Sequence, residues 1–245
     1  MRTLALAPPG PYHAIGGRRA AARVGRAESN EREAMKGLLG IFVVLGLAAG
    51  FAGSARADSA TDCFSEDIER RIEGCTALIE RRDESLADLS LAYAMRALAY
   101  SLKGHYDTAI RDYDAAIAMR PDFAVALNNR AWAYFRWGRA STGLADVEKS
   151  LQLSPASPHA LDTRAHIRQA LGDPQGALND YDKAMWHGGA RMIKLYQCGL
   201  TEARLYTGEI DGAWRPELMQ ALELCVRDKG CDPLPADEQC RAATS

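Results

Sequence analysis

The chain has 245 residues, with 30 lysines and arginines against 32 aspartates and glutamates, for a formal charge of −2. That balance gives no overall basic footprint and argues against nucleic acid or an anionic membrane surface as partner. No G-x-S-x-G, C-x-x-C or Gly-rich phosphate loop is present, so the chain offers no motif for nucleophilic catalysis or nucleotide binding.

In chain order, residues 1–34 mix Pro, Gly and Arg without apolar periodicity and are expected to be disordered, or to be an upstream extension of the reading frame. Met35-Lys36 then leads into an apolar run over Gly37 to Ala52 and an Ala55-Arg56-Ala57 site before Asp58. A cationic start, a run short for a membrane span and an A-x-A site predict a secretory signal peptide over 35–57 and a periplasmic or secreted product with no membrane segment after cleavage. Removing residues 1–57 takes out eight basic and three acidic residues, leaving about seven net negative charges on 188 residues, enough for one domain with a core. All six cysteines, Cys63, Cys75, Cys198, Cys225, Cys231 and Cys240, follow the cleavage site. An even number in an exported chain predicts disulfides rather than metal ligation, since zinc prefers closer pairs. Nearness in sequence pairs Cys63 with Cys75 and Cys231 with Cys240, leaving Cys198 with Cys225.

Residues 58–89 predict a helical cap, with Ile68, Ile72, Cys75, Leu78 and Ile79 at helical spacing. From Ser90 to Arg191 one 34-residue pattern is written three times, over 90–123, 124–157 and 158–191. Gly104, Gly138 and Gly172 fall in register, as do Ala97, Ala131 and Ala165, and Tyr113, Val147 and Tyr181. Glycine ends a first helix and proline stops a second, which predicts first helices near 91–103, 125–137 and 159–171 and second helices near 107–119, 141–153 and 175–187. Arg96, Arg130 and Arg164 each precede Asp112, Asp146 and Asp180 by sixteen residues, one helix and its turn. The recurrence is expected to be a half-buried Arg/Asp pair that fixes helix register, rather than a ladder of arginines for an anionic ligand.

At these columns the chain resembles the tetratricopeptide-repeat (TPR) family. The resemblance implies an all-α helical-hairpin solenoid, with an N-terminal cap and a C-terminal helical pair, acting as a non-enzymatic adaptor that binds a protein or peptide partner along its first helices. On that face lie Leu91, Ala94, Leu98 and Leu102, then Asn128, Trp132, Phe135 and Arg136, then His159, Asp162, His166 and Gln169. The expected ligand-binding set is Asn128, Asn129, Trp132, Phe135, Arg136, His159, Asp162 and His166, with Trp132 either an anchor for the partner or a packing residue between repeats. His159, Asp162 and His166 share a helix face, but seven residues is about 10 Å of axis, too far for both imidazoles to reach one ion, and no metal or other cofactor is expected.

Beyond the repeats, helices are expected near 192–206 and from Pro216 to Asp228, and residues 230–245 form a tail. Here Tyr196-Gln197, Leu200, Tyr206, Gly208, Ile210, Asp211-Gly212, Trp214, Pro216 and Ala221-Leu222 resemble the first half of the peptidoglycan-binding domain family, over 193–227. Arg215, Leu218 and Cys225-Val226 depart from it. That resemblance implies cell-wall glycan as the alternative partner, against a plain helical pair that closes the array.

Overall fold

The computed structural model describes residues 59–81, 85–228 and 230–234. The expected extension, signal peptide and cleavage site fall outside those residues, as does Cys240.

Among the described residues the regular elements are all α-helices. After a helical turn over 59–63 they are α1 (Ile68–Arg81), α2 (Leu86–Leu102), α3 (Tyr106–Met119), α4 (Ala124–Arg136), α5 (Ala140–Leu153), α6 (Pro158–Ala170), α7 (Pro174–Glu202) and α8 (Pro216–Arg227). The starts and stops are local chemistry. Ser157 caps α6 by accepting from the Ala160 N–H at 3.3 Å, with Pro158 in the first turn, and Asp173 does the same for α7 through Gly176 N–H at 2.9 Å. Gly104, Gly138 and Gly172 sit at φ of 77°, 75° and 82°, a region open to glycine, and let the next N–H turn back. His105 N–H thus reaches Tyr100 O at 2.9 Å, and Arg139 and Asp173 repeat that bond in the next two hairpins.

Two boundaries differ from expectation. Helix α2 begins at Leu86 rather than near 91, because the Ser85 hydroxyl accepts from Asp88 N–H and caps it there. Helix α7 runs through what the sequence divides into 175–187 and 192–206, broken inside at Gly189, where φ is 61° and ψ −156°. At the proline column of the other repeats, glycine bends the chain without removing an N–H.

Each hairpin closes on its small column: Ala97, Ala131 and Ala165 are fully buried, as are Tyr113, Val147 and Tyr181 facing them. In the second hairpin the approach is close: a Cβ on Gly143 would stand 2.7 Å from the Ala131 carbonyl. The Arg/Asp register is a set of two-pronged ion pairs. Arg96 holds Asp112 at 2.7 and 2.8 Å, Arg130 holds Asp146 at 2.7 and 2.7 Å, and Arg164 holds Asp180 at 2.7 and 2.8 Å. The Asp112 hydrogen bond raises the Arg96 pKa against the opposing effect of burial. The pairs also reach outward: Arg96 donates to Thr76 of α1 at 3.0 Å, and Arg130 to Asp114 of the preceding hairpin at 2.6 Å.

Cys63 and Cys75 are joined as expected, with Cα atoms 4.4 Å apart, and they fasten the turn at 59–63 to α1. The C-terminal pairing is corrected. Cys225 bonds Cys231, not Cys198, and the expected Cys231/Cys240 pair is thereby excluded as well; Cys198 is itself disulfide-bonded. The reason is a turn: α8 ends at Arg227, Asp228 caps it, and Cys231 N–H reaches back to Asp228 O at 3.1 Å, which brings the two Cα atoms to 5.2 Å.

The Asp-Gly turn is clamped onto α7 by buried Gln197, whose Oε1 accepts from Gly212 N–H at 2.8 Å while Nε2 donates to Ala213 O and Asp211 Oδ1 at 3.1 and 3.2 Å. Gly212 is at φ 82°, and a Cβ there would meet the Ala190 carbonyl at 2.7 Å. These residues of the peptidoglycan-binding resemblance are therefore engaged in closing the helical pair.

Candidate functional site

The first helices of the three hairpins, α2, α4 and α6, pack in sequence, with α4 between the other two. Their shared face changes character along the array. On α2 it is aliphatic: Leu91 and Leu98 are half-buried and Leu102 is 42% exposed. On α4 it is aromatic and amide. Trp132 and Phe135 are half-buried with ring centroids 5.1 Å apart, and the exposed Arg136 guanidinium lies 5.7 Å from the Trp132 ring.

Asn128, also on α4, is buried, and its Nδ2 donates to Asn129 Oδ1 at 3.2 Å. Its Oδ1 is buried without a partner. Tyr113 lies beside Ser101 and Asn129, and burial raises its pKa. A buried polar atom left unpaired costs about 1–3 kcal/mol, and an outside donor would reach this oxygen only if the α2/α4 junction opened.

On α6 the face is already engaged. His159 is exposed at its start, but Asp162 and His166 are buried. His166 is ringed by Trp132 at 5.2 Å, Phe135 at 5.4 Å and Tyr181 at 5.1 Å, and Tyr181 stacks in turn on Tyr196 at 5.6 Å. Asp162 accepts from the Tyr196 hydroxyl, and burial raises its carboxyl pKa. Nδ1 of His166 faces the Asp162 carbonyl at 2.9 Å, and Nε2 faces the Asp232 carboxylate at 3.1 Å. Burial pushes the imidazole pKa down, but Asp162 and the bond to Asp232 outweigh it and the net shift is upward. Gln169 accepts from the Tyr181 hydroxyl at 2.9 Å and donates to the Cys231 carbonyl at 2.8 Å.

The structure thus brings Asn128, Asn129, Trp132, Phe135 and Arg136 together on one helix and leaves His159 at an edge. It places Asp162 and His166 in a buried network with Tyr181, Tyr196 and Asp232. Asp232 was not among the expected residues, and nothing in the sequence marks it, since it belongs to no repeat column and no periodic segment. Among the described residues no group of three His, Cys, Asp or Glu side chains is arranged to hold a metal ion.

The sequence profile of the tetratricopeptide repeat family matches residues 91–123. Among solved structures, the chain is similar to MamA 41-end from Desulfovibrio magneticus RS-1, at 15% identity over 64% of this chain and 87% of that one, with a TM-score of 0.51, a likeness of fold. It is also similar to a thermophilic TPR protein of Thermus thermophilus, at 18% identity over 57% and 75% of the two chains and a TM-score of 0.45. The first TPR of Spaghetti (RPAP3) bound to HSP90 peptide SRMEEVD aligns at 27% identity over 41% of this chain and 80% of that one, with a TM-score of 0.40. No curated protein matches. The matched segment is the first of three hairpins on one 34-residue period, and the other two are closed by the same small residues and glycine turns, so the chain is similar to the tetratricopeptide-repeat family over all three.

Proposed function

We propose that the chain is a non-enzymatic adaptor of the bacterial periplasm or cell envelope, which holds a peptide segment of a partner protein against α2 and α4. The observation that carries this reading is the Trp132/Phe135 pair with Arg136 at its edge. An aromatic pair gives an apolar anchor its area, and the guanidinium suits a nearby carboxylate. Such anchors contribute about 2 kcal/mol or more each at interfaces. Export is supported by the cationic, apolar and Ala-x-Ala sequence of 35–57 and by the disulfides that follow it.

The test is photo-crosslinking of the full chain in the cell envelope, with the reactive group at position 102 on α2, to recover and identify the partner by mass spectrometry. Binding of that partner is then measured against two variants. Trp132→Ala should weaken it at least tenfold at unchanged helical content and Tm, and Trp214→Ala should leave it unchanged. The reverse ranking would move the site to the C-terminal helical pair and sink the groove reading.

A further inference from the structure

Residues Gly230–Leu234 form no helix, yet they are held to the third hairpin at several points. Cys231 is bonded to Cys225 at the end of α8, and its carbonyl accepts from Gln169 on α6. Asp232 Oδ1 accepts from both His166 Nε2, at 3.1 Å, and Leu234 N–H, at 3.0 Å. Pro233 is fully buried and Leu234 packs on the main core.

His166 is 2% exposed at its side chain while Asp232 is 52% exposed. The receptor is built into the fold and the ligand sits at its mouth. The groups around His166 are Trp132 and Phe135 from α4, the Asp162 carbonyl and carboxylate from α6, Tyr181 from α7 and Asp232 from the tail, with Tyr196 behind Asp162. Arg136 of α4 adds a second positive charge near Asp232. The Asp162 carbonyl can only accept and a carboxylate accepts best, so both ring nitrogens are placed to donate, as an imidazolium does.

We propose that His166 and Gln169 form a subsite for a peptide carboxylate, and that residues 230–234 fill it in cis as a tethered ligand, so that a partner reaches the third hairpin only by displacing Asp232. The recognition order is read from the occupant: a backbone carbonyl on Gln169, a carboxylate on His166 one residue later, then a buried proline and a leucine on the core. The subsite extends the α2/α4 groove assigned above and its use by a partner rests on that reading, but its occupation by the chain itself does not. A short tether supplies an effective concentration on the order of millimolar, which a free peptide at micromolar concentration cannot match.

The probe is a fluorescein-labelled synthetic peptide, Gly-Ser-Asp-Pro-Leu, which copies residues 230–234 with serine in place of cysteine. At about pH 6, where an ordinary imidazole is largely protonated, fluorescence anisotropy should show no binding to the native full chain. It should show saturable binding to the full chain carrying Cys225→Ser, Cys231→Ser and Asp232→Ala, reduced at least tenfold when His166→Asn is added or when the peptide carries asparagine for aspartate. Equal binding to the native chain and the opened variant, or no binding to an opened variant with native helical content, would overturn the proposal. If the opened variant fails to fold, the NMR titration of His166 in the native chain and in Asp232→Asn decides instead. The midpoint should move down in the variant, and an unmoved midpoint would show that Asp232 does not occupy the site. Loss of partner binding in Trp132→Ala is a separate readout, so failure of the groove and failure of this subsite are distinguishable.

Discussion

Two arginines on one helix show how position decides what a charge does. Arg130 is enclosed between Asp146 and Asp114, with 18% of its side chain exposed, whereas Arg136 stands in solvent at the groove. Removing one partner of a mostly buried pair leaves the other carboxylate unpaired, at a cost of about 3 kcal/mol, against under about 1 kcal/mol at an exposed site. Arg130→Ala should therefore lower the Tm well below that of Arg136→Ala, and equal Tm values in calorimetry would show that the register is not structural. The His166/Asp232 pair has a pH signature. The imidazole pKa is raised, so its contribution is complete below the ordinary histidine value and is lost as pH rises through the raised one. The Asp232 carboxyl is lowered: burial opposes this, but the His166 hydrogen bond and charge prevail, so its contribution is present above the ordinary carboxyl value and is lost as pH falls through the lowered one. The Tm difference between the native chain and Asp232→Asn should be widest between those two limits and close beyond either, and a difference independent of pH would remove the ion pair from the account. The Arg/Asp pairs were legible because they recur three times at one spacing. Asp232 was not, because it occurs once, in a segment whose place is set by a disulfide turn that sequence separation does not reveal.

Helix boundaries follow the same division. Glycine turns were readable because each is a local event, and the structure has them at Gly104, Gly138 and Gly172. The early start of α2 and the passage of α7 past the repeat boundary were not, because one depends on a serine cap and the other on what glycine does at a column where its neighbours carry proline. Gly143 shows where packing overrules propensity. An alanine in mid-helix gains about 1 kcal/mol over glycine, and the other two hairpins carry buried alanine at this column, Ala109 and Ala177. In the second hairpin, however, a Cβ would press on the Ala131 carbonyl at 2.7 Å and its Cα at 3.1 Å, backbone atoms that move only if α4 and α5 separate. Overpacking of this kind costs about 1–3 kcal/mol. Gly143→Ala should lower the urea midpoint at unchanged m, and a raised midpoint would mean the two helices can part freely.

Across the molecule, the disulfides flank the repeats rather than cross them. All six cysteines lie before Leu86 or after Gly189, and the loops closed by Cys63–Cys75 and Cys225–Cys231 are short. Closing loops of this length contributes about 2–3 kcal/mol each through chain entropy. Reduction should lower the Tm while leaving the far-UV circular dichroism of the folded chain near its oxidised value at 25 °C. Collapse of the helical signal on adding dithiothreitol would show that the array depends on its ends. Within the array the apolar interior is divided. One core holds the first hairpin with Phe123, Ala126 and Ala133, another runs from Ala131 through the third hairpin to Val226, and a third joins α1 to Ala92 and Met95 of α2.

Helix α4 belongs to the first two of these interiors, giving Ala126 and Ala133 to one and Ala131 to the other, and it also carries Trp132, Phe135 and Arg136. Helices α2 and α4 are thus each shared between two interiors, and α4 also carries the residues proposed above as the contact face. Under the proposed function, the thirteen residues Ala124–Arg136 would carry the partner's contact face and join two of the apolar interiors at once.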